Sequence, residues 1–179
     1  MRICFSVIVV SCLLIFSCKK KEDQRGVPPI EAAADKDLNR TKTKTAVVFN
    51  TPQNKALYEH YLLLKAALVN TNAKQTKKEA DKFSKLFVTD SLYARARQVA
   101  ILIAAENDIK KQREFFVGLT DEVTSILKDD VKSGKLYQQF CPMAFEGKGG
   151  YWLSDSDQVR NPYFGDQMLK CGEVVKVLQ

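Results

Sequence analysis

Histidine is nearly absent: the chain of 179 residues has one, His60. Ser-His-Asp hydrolysis would have to be built on that single imidazole, and no nucleophile-elbow glycine pattern accompanies it. Glycine loops that cradle phosphate are missing, as are the CxxC redox motif and the paired CxxC pattern of a zinc site. No internal repeat is visible, and no apolar run reaches the roughly 20 residues that a membrane-spanning helix needs. Paired carboxylates do occur at Asp129-Asp130, at an expected helix end where solvent would surround them. Nothing in this inventory points to an enzyme.

What is there begins with an address. Met1-Arg2 gives a short positive start, Ile3 to Phe16 is almost wholly apolar, and Lys19-Lys20-Lys21 follows abruptly. This is the layout of a secretory signal peptide. Its end, Leu14-Ile15-Phe16-Ser17-Cys18, looks like a lipobox, with Cys18 as the lipidated first residue after cleavage. Acyl chains contribute about 0.8 kcal/mol per buried CH₂, so several of them hold a chain on a membrane without crossing it. The expected place is therefore the cell envelope, lipid-anchored, facing the periplasm or the cell surface. Export also means an oxidising compartment, where disulfides persist. The chain is basic, with net charge +7. In an exported protein this excess suits solubility and anionic headgroups near the anchor more than nucleic acid.

Residues 19–50 read as a flexible tether, with Pro28-Pro29, an alanine run and few large apolar side chains before Val47-Val48-Phe49. Residues 51–179 read as one domain. Thr51-Pro52 predicts a helix start, and Leu57, Tyr61, Leu64 and Leu68 recur at the spacing of one helix face. Thr76-Lys77-Lys78-Glu79 reads as a capping box, and Thr89-Asp90-Ser91 as another cap. Leu92 to Ala105 is apolar nearly all round and is expected to be the most buried helix. Asp108 and Thr120-Asp121-Glu122 read as further helix starts, and Gly134 ends the helical half. The expectation is a mainly α fold, an antiparallel bundle of four to five helices. A cysteine- and aromatic-rich C-terminal tail of short strands or loops is laid over it. That tail holds five of the eight glycines, at positions 147, 149, 150, 165 and 172, and the single tryptophan.

The tail also holds Cys141-Pro142-Met143 and Met168-Leu169-Lys170-Cys171. Thiolate and thioether are soft ligands that select Cu(I) over hard cations, so the four sulfurs are candidate metal ligands. Two other readings stand beside this one. Cys141 and Cys171 form a disulfide, the ordinary fate of two cysteines after export. Met143 and Met168 fill gaps in the core. His60, at the edge of the apolar helix face, is ordinarily a packed residue with one hydrogen bond, though imidazole also suits copper. Tyr151-Trp152-Leu153 and Asn161-Pro162-Tyr163-Phe164-Gly165 are expected to pack the tail onto the helices.

These tail segments, with Tyr61-Leu62-Leu63-Leu64-Lys65-Ala66-Ala67-Leu68-Val69 and Asp108-Ile109-Lys110-Lys111-Gln112-Arg113-Glu114-Phe115-Phe116, resemble domain-of-unknown-function family 3347. The likeness covers most of residues 51–179. Members of that family occur as envelope lipoproteins and as modules on periplasmic adaptors of heavy-metal efflux pumps. The resemblance therefore implies a soft metal, most naturally copper, and an efflux adaptor or another envelope protein as partner. It raises the metal reading above the disulfide. The Cys-Pro-Met run also looks like that of small heavy-metal-binding domains, with Ala144 where those carry a histidine.

Overall fold

The structure, a computed structural model, describes residues 46–179. The leader, Cys18 and residues 19–45 lie outside the described residues. The fold is mainly α, with two small antiparallel sheets.

Helix α1 (Pro52–Val69) starts as its sequence dictates, with the Thr51 hydroxyl accepting from the Asn54 amide at 3.2 Å and proline in the first turn. Leu57, Tyr61, Leu64 and Leu68 are fully buried along one face. Each such side chain contributes about 1.5–3 kcal/mol by leaving water. Helices α2 (Ala73–Ser84), α3 (Ala94–Ala105) and α4 (Ile109–Leu127) follow; each packs on its predecessor, and α4 returns to α1. Asp108 caps α4 by accepting from the Lys110 amide at 2.9 Å.

Strand β1 (Val48–Phe49) pairs antiparallel with β2 (Val131–Ser133). Val47 and Phe49, expected in the tether, are buried in the core, so the fold takes in the tether's last residues. The second sheet runs in the order β4-β3-β5, with β3 (Leu136–Cys141) between β4 (Gly150–Ser154) and β5 (Glu173–Leu178). Tyr61 joins this sheet to the helices. Its hydroxyl accepts from the Leu153 amide at 3.0 Å and lies 2.8 Å from the Thr120 hydroxyl, in the core. Trp152 is fully buried and donates its indole N–H to Gln139 Oε1 at 2.6 Å. Gln139 in turn donates to the carbonyls of Ser156 and Asp157, so one buried polar chain fastens the sheet to its following loop.

Three sequence expectations fail locally. Helix α2 begins three residues before Thr76: Asn72 is the cap, accepting from Gln75, and Thr76 sits inside the first turn with its hydroxyl on the Asn72 carbonyl. Thr120 starts no helix, because its hydroxyl is engaged by Tyr61 inside an unbroken α4. And α3 is not the most buried helix. It buries Ala96, Ala100 and Ile103 against α2 and α4, while Ile101 and Leu102 stay about half exposed. A helix at the edge of a small fold has neighbours on one side only, and Arg95, Arg97 and Gln98 interrupt the apolar run of this one. Helix α1, touched by α2, α4 and β1, is the central one.

Candidate functional site

The two cysteines of the described residues meet. Cys141 is the last residue of β3, fully buried and opposite Gly150 of β4. Cys171 follows a short 3₁₀ turn, Gly165–Met168, and precedes β5. The two sulfurs are 2.8 Å apart, both as free thiols.

Local chemistry explains how Cys171 reaches that position. The Asn161 side chain, buried, donates to the Cys171 carbonyl at 2.7 Å. Its own oxygen accepts from the amides of Tyr163 and Phe164, the turn that a short polar side chain before proline makes with the backbone two residues on. The Asn161 amide bonds the Leu169 carbonyl at 2.9 Å, and the Cys171 amide bonds the Met168 carbonyl at 3.0 Å. Gly172 then lets the chain lie against β3. It has φ +136°, and a Cβ there would stand 2.7 Å from the Phe140 carbonyl oxygen and 2.8 Å from the Trp152 ring. The Asn161-Pro162-Tyr163-Phe164-Gly165 segment therefore does more than pack: it clamps the second cysteine.

The methionines reach the pair through their backbones. The Met143 amide bonds the Cys171 thiol, while the Met143 side chain is 56% exposed. Met168 is half-buried and contributes its carbonyl. His60 is half-buried on α1, with Nδ1 closed to solvent and without a hydrogen-bond partner. Among the described residues no three His, Cys, Asp or Glu side chains converge as metal ligands, so His60 does not join the cysteines.

Electrostatics keep the outer thiol protonated. The hydrogen bond with Cys141, then burial, then the charge Cys141 would carry push the Cys171 thiol up to about 11, against the smaller opposing effect of the Met143 amide. At neutral pH Cys171 therefore keeps its proton. The competent reactions of the pair are oxidation to a disulfide, with two electrons and two protons passed to an external oxidant such as another disulfide, or release of protons to an incoming soft cation.

Two further groups escaped the sequence reading. Lys65, on α1, is fully buried, with Nζ 3.3 Å from the Ser154 hydroxyl. Burial lowers it to about 8, against the attraction of Asp155 and with a smaller contribution from Arg160. Arg113 is 8% exposed on α4 and donates Nε to the Pro162 carbonyl and Nη2 to the Leu68 carbonyl and the Thr71 hydroxyl. In sequence each is one basic residue on an amphipathic helix, indistinguishable from the solvated lysines around it.

The model of a protein family described as "Protein of unknown function (DUF3347)" matches residues 57–134. No curated protein and no solved structure matches the chain. The matched span runs from within α1 through β2 and stops short of both cysteines.

Proposed function

We propose that this chain, whose residues 57–134 match the model of the DUF3347 family, is a lipid-anchored envelope protein that captures a soft metal ion. It is a binding protein rather than an enzyme. The ion is Cu(I), held by Cys141 and Cys171 with thioether help from Met143 and Met168, for buffering or hand-over to an efflux partner. We read the ring of contacts among α1 to α4 as an antiparallel bundle that supports the cysteine-bearing sheet. The observation that carries the proposal is the meeting of two thiols from distant segments, one of them half-exposed and in contact with the backbone amide of Met143. Cu(I) is content with few soft ligands, which suits a pair without a third Cys, His or carboxylate.

One observation favours a second reading, a structural or interaction module closed by a Cys141–Cys171 disulfide. Two sulfurs bound tetrahedrally to one metal at about 2.3 Å stand about 3.8 Å apart. The thiols are at 2.8 Å, nearer to bonding each other. Capture of an ion therefore requires the pair to spread by about 1 Å. Cys171, in a turn, is the side that moves, since Cys141 is held in the strand ladder.

The test uses the purified full chain. Free thiols are counted without reductant, and the reduced protein is then titrated with Cu(I) against a competing chelator. One-to-one binding that is lost in Cys141→Ser and weakened in Met143→Leu supports the metal reading. An oxidised pair, with binding after reduction no better than in the double serine variant, establishes the module.

A further inference from the structure

A pocket of about 250 Å³ is lined by α4 and by residues that follow Cys141 or precede Cys171 in the chain. One wall is α4, with Lys110, Arg113 and Glu114 at i, i+3 and i+4, which places them on one helix face. The facing wall is aromatic. Phe145 comes from the β3–β4 connection, and Tyr163 and Phe164 from the segment that clamps Cys171. The Phe145 and Tyr163 rings meet edge to face at 5.0 Å.

The pocket has two features of a ligand site. The first is a buried cation with unused donors. Arg113 spends Nε and Nη2 on three oxygens of the protein, and Nη1 has no acceptor among the described residues. Nor is Nη1 among the fully enclosed unpartnered atoms, and Arg113 lines the pocket. No carboxylate stands within ion-pair distance of Arg113 or Lys110 among the described residues. Glu114 and Asp166 are exposed, and Asp166 attracts Arg113 from beyond ion-pair distance, so the unused donors of Arg113, not an excess of positive charge, are what the pocket offers an anion. A buried charge of this kind is ordinarily paired. The second feature is strain. Phe145 and Glu146 both adopt left-handed backbone angles, φ 52° and 59°, without being glycine. Such conformations concentrate where a side chain must be aimed.

We infer that this pocket binds a small monocarboxylate with an apolar or aromatic body. The carboxylate sits on Arg113 Nη1 and Lys110 Nζ, and the body lies between Phe145, Tyr163 and Phe164. A cavity of about 150 Å³ holds one benzene ring, so the volume here fits a single ring with a short acid arm. The guanidinium, held in place by its three protein acceptors, presents Nη1 as a preorganised donor to one carboxylate oxygen.

The probe is 3-phenylpropionate, titrated into the full chain in detergent by calorimetry and checked by saturation-transfer NMR. A ligand of that size is expected to bind with Kd of about 0.1–1 mM. The neutral 3-phenylpropanol and inorganic phosphate are each expected to bind at least about tenfold more weakly, one lacking the charge and the other the body. Lys110→Met and Phe164→Ala, both changes at the rim, should each weaken the acid several-fold, and Arg113→Lys about tenfold, since an ammonium cannot hold all three protein acceptors and also keep the donor that Nη1 gives the ligand. Should Arg113→Lys fail to fold by circular dichroism, the two rim variants carry the test. Equal binding of acid and alcohol overturns the anion site, and equal binding of phosphate overturns the apolar body. No saturable binding up to 10 mM, or indifference to both rim variants, overturns the pocket as a ligand site. None of these outcomes depends on the state of the two cysteines.

Discussion

Replacing Lys65 by methionine should stabilise the protein at neutral pH. Lys65 has no exposed surface, and burial brings its ammonium from the usual 10.5 to about 8. At about 1.36 kcal/mol per pH unit, holding the proton at pH 7 costs the folded state about 3 kcal/mol. Methionine has a similar volume and carries no charge. It forfeits the bond to Ser154, worth about 1 kcal/mol. The net expectation is a gain of about 2 kcal/mol at pH 7. The sign of the pH dependence follows from linkage. Between about 8 and 10.5 the unfolded chain binds the proton that the folded chain has released, so Lys65 makes wild-type stability rise across that window. The advantage of the variant should therefore shrink from pH 7 to pH 10 and there vanish or reverse. Urea unfolding of both proteins under reductant, followed through the fluorescence of the buried Trp152, measures the difference. Ionisation of Cys171 and of the buried tyrosines is common to both and cancels. A difference that does not change with pH, or a variant less stable at pH 7, would refute the assignment of Lys65 as a buried charge whose burial outweighs its partners.

Closing the 30-residue loop between Cys141 and Cys171 should raise stability by about 3–4 kcal/mol, read from urea midpoints of the oxidised and reduced chain. Asn161→Ala removes the Cys171 clamp and should cost about 2–3 kcal/mol while increasing the reaction of Cys171 with iodoacetamide. In the reduced wild type that reaction should be slow at pH 8 and accelerate as the pH approaches about 11, where the Cys171 thiol ionises. Gly172→Ala forces a Cβ against Phe140 and Trp152 at φ +136° and should cost about 2 kcal/mol or more in the same unfolding assay.

The parts of the fold that could be read from the sequence are those decided locally. The Thr51-Pro52 start and the Leu57-Tyr61-Leu64-Leu68 stripe needed no partner to be recognised, and the Asp108 cap likewise depends on two residues. Errors arose where a distant group decides. Thr120 reads as a cap until Tyr61 takes its hydroxyl, and α3 reads as central until its neighbours leave one face bare. The convergence of Cys141 and Cys171 was foreseen as a requirement of either reading, but its means, the Asn161 clamp and the space at Gly172, lie in tertiary contacts. Arg113 was invisible for the same reason: its acceptors sit at positions 68, 71 and 162.

The two sulfurs are unequally accessible, one sealed and one half open. Any reagent that arrives by diffusion therefore meets Cys171 first. An alkylator caps Cys171 and stops there, whereas a small disulfide forms a mixed disulfide at Cys171 that Cys141 resolves from behind, releasing the second thiol. On the proposed metal reading, departure would run in the opposite sense, with the inner sulfur letting go before the outer one delivers. The pair would then impose an order on exchange, and a partner would need to dock at one place only, the turn between Met168 and Gly172.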